Sequence, residues 1–563
     1  MSGAGAQAPT RRPSAAGRGA RPGDRPVGPL TGARELLQLA QRRDRMLLPV
    51  WIYVLAIIAV SGGYVVKQIY KTPADRASLA STVRHDAALA FIYGQLHGDS
   101  VGALATWRYL VYSALAAGLM GIFLVIRHTR ADEEAGRLEL VGSAAVGRLA
   151  ALTAALLVAA AANVLLTVLL ILVLVLVGLP VAGSVAFALV ITTCGLAFAA
   201  IAALAAQLAA GARAARGIAL GVLGAAYLLR AVGDASGESG VSWLTWLSPL
   251  GWTEMARPYT EDRWWVLVLP LALTAAATAA AYVLAVIRDH GAGLLPDRPG
   301  RATASAWLRG PFGLAWRLQR GTLYGWMAGF AFTFAASGAA AKGIGSLLGG
   351  STQLRNAFAR LGGQTAITNA YLAAIMSLAG LAAAAYATSA VLRLRTEETD
   401  GQAETLLATA TSRTRWGLSH IAIAVLGTAV LLAVAGLAAG LGYGLRTGSA
   451  GPEVAKLLGA AMVQLPASLA VAGAAVVLFG LAPRASVAGA WTVVGVMVLI
   501  ALFGQVLRLS QWVLDVSPFT HVPKLPGVAV TVHTTGAPLL WLGLAALALA
   551  VTGLAGLRRR DIG

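Results

Sequence analysis

The sequence predicts an all-α, polytopic membrane protein of about 12 spanning helices in two pseudo-symmetric six-helix halves. Three observations carry this. Of the 563 residues, 58% are hydrophobic and only 12% charged, whereas water-soluble domains carry about 25% charged residues. Unbroken apolar runs recur, such as LAALTAALLVAAAANVLLTVLLILVLVLVGL from Leu149 to Leu179, longer than the ~20 residues that cross a bilayer. Finally, an acidic segment, RADEEAGRLELVGSAAVGR at 130–148, returns as RTEETDGQAETLLATATSR at 395–413.

Residues 1–30 are mostly Gly, Pro, Ala, Ser and Arg. They cannot bury a core and are expected to form a disordered cytoplasmic tail. The first apolar run begins near Met46, too far into the chain for a cleaved signal peptide. The first half, 31–290, has expected spans at 46–66, 105–126, 149–179, 185–210, 216–232 and 264–287. A polar stretch at 291–311 reads as a cytoplasmic linker. The second half, 312–563, has expected spans at 321–341, 369–391, 416–441, 456–482, 487–507 and 537–556. Most of the 44 Lys and Arg residues fall on one set of loops, including Arg558, Arg559 and Arg560. By the positive-inside rule both termini then face the cytoplasm of a plasma-membrane protein. Trp243, Trp246, Trp252, Trp264 and Trp265 gather on the opposite side, as an interfacial belt would.

The acidic segments align at a constant offset, giving R-x-[DE]-E-x-x-G-x-x-E-x8-R. Asp132 falls on Glu397, Glu133 on Glu398, Gly136 on Gly401, Glu139 on Glu404 and Arg148 on Arg413. Two echoes extend the repeat: LAQRRDRMLLPVW (39–51) with LAWRLQRGTLYGW (314–326), and SPLGW (248–252) with SPFTH (517–521). Each acidic loop joins the second and third spans of its half. Gly136 and Gly401 break a helix at low cost, so 138–148 and 403–413 read as short helices. One Glu and one Arg per loop would suit the two ends of such a helix. Helix capping leaves the Asp132-Glu133 and Glu397-Glu398 pairs unexplained, and a docking surface for a basic partner explains them better.

A half with an amphipathic segment before its first span, and an E-x-x-G-x-x-E loop between its second and third, resembles the type-2 class of ABC exporter permeases. Within that class it is most similar to the actinobacterial branch of polyketide-antibiotic and multidrug exporters, of the tetronasin-resistance type. The resemblance covers nearly the whole chain after residue 30. It implies that Asp132, Glu133, Gly136 and Glu139, with Glu397, Glu398, Gly401 and Glu404, form two coupling elements that dock on an ATP-binding cassette subunit, two copies of which bind. It also implies interfacial helices at 33–45, carrying Arg42, Arg43 and Arg45, and at 312–320, carrying Arg317 and Arg320. Basic side chains there suit an anionic inner leaflet.

No G-x-x-x-x-G-K-[ST] occurs in the chain, so it lacks a phosphate-cradling loop. It is read as a transport subunit without cofactor, ATP and Mg being held by the partner. The seven histidines show no metal-ligand spacing, and the lone cysteine, Cys194, excludes an intrachain disulfide. No nucleic-acid partner is expected.

Charged residues within spans are functional candidates, and few occur. Arg230 and Asp234 form an i,i+4 pair, and Gln505 lies in the matching region of the other half. By composition the outer loops at Pro249 and Pro518 read as interfacial loops; the resemblance implies that they dip back into the membrane and close the outer exit. Asn163, Gln207 and Gln464 read as interhelical hydrogen-bonding residues. A path of Ala, Leu, Val and Phe suits lipophilic or amphipathic cargo, such as antibiotics. The alternatives are a proton-coupled secondary multidrug transporter and an exporter of lipid or cell-envelope precursors. Against the first stand the acidic inner loops and a lack of buried carboxylates for a proton relay.

Overall fold

A computed structural model describes residues 28–84, 86–137, 146–237, 240–289, 291–295, 303, 308, 310–348, 363–503, 510–527 and 531–561. Residues 1–27 of the expected tail and most of the expected linker lie outside these residues. Every regular element among the described residues is helical. Among the described residues, nine helices are long and apolar enough to cross a membrane: Val101–Glu134, Ala150–Leu176, Val181–Leu208, Ala212–Ala235, Trp264–Ile287, Thr368–Thr399, Arg413–Thr447, Ala450–Leu481 and Ala537–Arg559. The chain is an all-α polytopic membrane protein. Three further expected spans coincide with the helices Leu47–Ile69, Pro311–Leu348 and Ser486–Phe503.

The solvent these helices expect can be read from their surfaces. Along Ala150–Leu176, Ala155, Val158, Ala162, Leu166 and Leu170 are buried, while Leu157, Val164, Leu165, Val168 and Leu172 are exposed. A water-soluble protein seldom exposes so continuous an apolar stripe, whereas a lipid environment accepts it. Trp243, Trp246, Trp264, Trp265, Trp512 and Trp541 are also exposed, as amphipathic rings at a membrane boundary are.

Contacts divide the chain into two compact units. One takes its residues from 1–61, 112–226 and 262–297, the other from 62–111, 227–261 and 298–563. In the first unit, Val181–Leu208 is the central helix, with Cys194 and Phe198 fully buried. It packs against Ala150–Leu176 and Val268–Ile287. In the second unit, Pro311–Leu348 packs along Arg413–Thr447, and Leu465–Leu481 along Ala537–Arg559. Leu372, Met376, Tyr386, Leu431 and Leu432 fill its core. In lipid such packing is held by van der Waals contact, which favours small side chains.

Two expectations are corrected. The two segments expected to be interfacial differ from each other. Ala33–Arg43 is a separate helix that ends at Asp44, and a new helix begins at Leu47. The segment at 312–320 instead belongs to the continuous 38-residue helix Pro311–Leu348. Pro49 suits a first turn, whose N–H groups have no helical partner, and so favours a fresh start nearby. Its counterpart Tyr324 imposes no such break. Two of the three polar residues expected to bridge helices bond locally instead: Asn163 donates to Ala159 O at 2.8 Å and Gln207 to Ala203 O at 3.3 Å. Hydroxyls bridge instead, through Thr167 with Thr192 and Ser468 Oγ with Gly380 O.

Candidate functional site

The first acidic loop is a short helix, Arg130–Glu134, followed by Gly136 at φ 69°. Each of its three acids has an internal partner. Asp132 accepts from Arg43 Nη1 at 2.7 Å and from Arg137 Nε at 2.9 Å. Glu133 accepts from Arg130 Nη1 at 2.8 Å, Arg288 Nη2 at 3.0 Å and the Gly291 N–H at 2.7 Å. Glu134 accepts from the Ala212 N–H at 3.0 Å, where the positive end of the Ala212–Ala235 helix favours an anion. Arg130, 1% exposed, also donates to Ala210 O and to Gly291 O. Beside the loop, Asp44 is fully buried, with Arg127 Nε at 3.1 Å and His128 Nε2 at 2.5 Å.

The second loop repeats the central part of this network. Glu398, 5% exposed, takes Arg395 Nη1 at 3.0 Å and both Arg560 terminal nitrogens at 2.8 and 3.0 Å. Arg288 and Arg560 are the C-cap residues of Val268–Ile287 and Ala537–Arg559. At each of the two loops, then, a glutamate grips the C-cap residue of a long helix. Arg148 donates to the Ala285 and Arg288 carbonyls, and Arg413 to the Arg560 carbonyl at 2.7 Å. The same cap is therefore held by both its guanidinium and its carbonyl.

This revises the roles expected for two arginines. Arg413 does not end the short helix of its own loop. That helix is Gln402–Leu407, and Arg413 opens the next one after the N-cap Ser412. Arg148 and Arg413 instead satisfy orphan carbonyls at the C-terminus of another helix, where cations are favoured. Gly401, the N-cap of Gln402–Leu407, has φ 72°, a left-handed conformation that glycine adopts without penalty. Glu404 is exposed, while Ala403 is buried with Leu394, Trp416, Phe479 and Leu557. The short helix thus rests where the ends of four long helices meet. Glu397 is held within this cluster by Trp416 Nε1 at 3.1 Å and His420 Nε2 at 3.2 Å. His420 Nδ1 in turn faces Gln319 Nε2 at 2.9 Å. Glu139 lies outside the described residues. Of the arginines expected at the interface, Arg42, Arg45, Arg317 and Arg320 are exposed, and Arg43 is paired with Asp132 of the first loop.

Near the C-terminal end of Ala212–Ala235 stands a second charged group. Arg230 Nη1 lies 3.5 Å from Asp234, the pair read in the sequence, and 2.8 Å from Glu254 Oε1, which sequence reading missed. All three are buried, at 0%, 3% and 6% exposure. This overturns the expectation that buried carboxylates are lacking. Pro249 begins the helix Pro249–Met255, whose N-cap Ser248 accepts from the Leu250 and Gly251 N–H groups; Glu254 lies on it. Gly94, at φ 93°, leaves room for that side chain: a Cβ there would lie 2.2 Å from Glu254 Oε2. Arg257, Tyr259 and Asp262 follow with positive φ, each costing roughly 1–3 kcal/mol of backbone strain. Pro518 starts a short 3-10 turn, Pro518–His521, without an acid, and Gln505 lies outside the described residues.

A family model described as "Multidrug efflux system permease Rv1217c, C-terminal domain" matches the chain twice, over residues 34–284 and 308–558. The multidrug efflux system permease protein Rv1217c of Mycobacterium tuberculosis (strain ATCC 25618 / H37Rv) is 43% identical over 534 residues. That alignment covers 94% of this chain and 95% of the relative. The doubled match spans both acidic loops, and with it the chain belongs to the Rv1217c family of multidrug efflux system permeases.

Proposed function

We propose that the protein is the permease subunit of an ATP-driven exporter that moves lipophilic and amphipathic compounds, polyketide antibiotics among them, out of the cell. ATP is bound and hydrolysed by a separate cassette subunit, two copies of which sit under two six-span halves, with both chain termini in the cytoplasm. The doubled family match supports the two-half reading, and the relative's efflux name supports the export direction.

The observation that carries the mechanism is the seat of Gln402–Leu407. Its buried side lies on Leu394, Trp416, Phe479 and Leu557, which belong to four different long helices, and its exposed side carries Glu404. Force applied to that short helix by a partner is passed to all four. The caps Arg288 and Arg560 extend the grip to the last span of each half. For ATP to drive a conformational change, the two membrane conformations must differ in affinity for the ATP-bound partner. A rigid, internally neutralised loop is suited to report that difference.

For cargo, a cavity of about 480 Å3 lies between Pro311–Leu348 and Gly363–Thr399. It is lined by Trp326, Phe330, Phe334 and Leu378, with Thr333 as its one hydroxyl. That volume is in the range of small-molecule sites, about 300–1,000 Å3, and the lining suits apolar and aromatic groups.

The test is co-purification with the candidate cassette ATPase, followed by ATPase and inside-out vesicle assays with lipophilic antibiotics. Transport that needs ATP and survives collapse of the proton gradient supports the reading. Transport that follows the gradient without ATP selects the secondary carrier.

A further inference from the structure

The charged group at Arg230 has an imbalance that the exporter reading does not use. Two carboxylates, Asp234 and Glu254, converge on one guanidinium nitrogen, at 3.5 and 2.8 Å. Arg230 Nη2 donates to the Phe91 and Ile92 carbonyls at 3.1 and 3.2 Å, while Nε is buried without an acceptor among the described residues. Its face lies over the Tyr227 ring at 4.7 Å. Thr245 donates its hydroxyl to Asp234 Oδ1 at 2.9 Å. Asp234 Oδ2 and Glu254 Oε2 are buried without a hydrogen-bond donor among the described residues.

The other charged and titratable groups facing this site do not restore neutrality. From the loop after Met255, Arg257 is paired with Glu261. From Val101–His128, Arg108 sits over the Tyr93 ring at 5.8 Å. Tyr93 and His97 line, with Glu254, Arg257, Thr106 and Thr260, an adjoining cavity of about 20 Å3. That is room for one water beside Glu254. With both acids ionised, the buried group carries one uncompensated negative charge, a state that low-dielectric surroundings strongly disfavour.

We propose that Asp234 and Glu254 form a proton-binding site in which one proton is shared between the two carboxyl groups, facing Arg230. One proton brings the group to neutrality. It also gives the two donor-less oxygens, Asp234 Oδ2 and Glu254 Oε2, a hydrogen bond to each other. Burial, and then the neighbouring Asp234, push the Glu254 carboxyl well above the usual carboxylate range. A group with a raised folded-state pKa stabilises the fold below its unfolded value, and that contribution is lost as pH rises through the folded value. The bound proton therefore keeps the Pro249–Met255 helix seated against Ala212–Ala235, and alkaline conditions loosen it.

The experiment is infrared spectroscopy of the full-length protein in lipid nanodiscs, read in the carboxylic-acid C=O region, together with thermal unfolding across neutral to alkaline pH. The wild type is expected to show a protonated-carboxyl band at neutral pH that disappears on alkalisation, with a parallel fall in melting temperature. Glu254→Gln is expected to lack the band and to lose the alkaline fall, because the remaining Asp234 pairs with Arg230 as an ordinary ion pair. Asp234→Asn must do the same, and serves if the first variant folds poorly. A wild type without the band, or a band unchanged in both variants, overturns the proposal. So does stabilisation by added sodium at constant pH in the wild type alone, which assigns the site to a metal cation.

Discussion

Glu133 and Glu398 occupy the same place in the repeat, yet they are held to different degrees. Glu398 is 5% exposed and relies on two arginines, with Arg560 contributing both terminal nitrogens. Glu133 is 11% exposed and divides its charge among Arg130, Arg288 and a backbone N–H. The surroundings differ in the same sense. The first loop reaches the separate helix Ala33–Arg43 through the Arg43–Asp132 pair, while the second rests on the Trp416 cluster. One loop is tied by charge to a separate short helix, the other by packing to the ends of long helices. What the two share, a glutamate on the C-cap arginine of the last span, is the part the duplication has kept.

The comparison orders the expected effects of substitution. Arg560→Ala should be the most damaging, since it leaves Glu398 buried with one partner; loss of a buried pair's partner costs about 3–5 kcal/mol. Its melting temperature in nanodiscs measures this. Arg288→Ala should cost less, about 1–3 kcal/mol, because Glu133 keeps Arg130 and the Gly291 N–H. Equal losses in the two variants would erase the difference drawn here. Asp132→Asn should cost about 0–1 kcal/mol and lose its effect at high salt, as partly exposed ion pairs do. Glu404→Lys should leave stability within about 0.5 kcal/mol while weakening co-purification with the cassette ATPase; unchanged co-purification would remove Glu404 from the proposed docking face.

Much of this was legible in the sequence, for identifiable reasons. Long apolar runs have few alternatives to spanning helices, and the repeat stood out because acid is rare in a chain of net charge +20. Gly136 and Gly401 were readable as helix breakers, and both have positive φ. Partners distant in sequence were not readable. Glu133 and Arg288 are 155 residues apart, Glu398 and Arg560 162, and no local pattern joins them. The acids therefore looked like free surface charge when they are internal fastenings. Glu254 was missed for a related reason. In sequence it is one acid of an outer loop, and only the fold brings it to Arg230, 24 residues earlier. The break at Asp44 was in principle visible, because Pro49 has no counterpart in the second half.

The central claim is that Glu398 fastens the last helix of its own chain and is not itself a docking contact. Exchanging the charges, Glu398→Arg together with Arg560→Glu, tests it most directly when melting temperature and ATPase co-purification are compared with each single variant. The fastening role predicts that each single variant is damaged and that the double exchange regains most of both readouts. A double variant that regains stability but still fails to hold the ATPase would make Glu398 a docking residue and contradict the account.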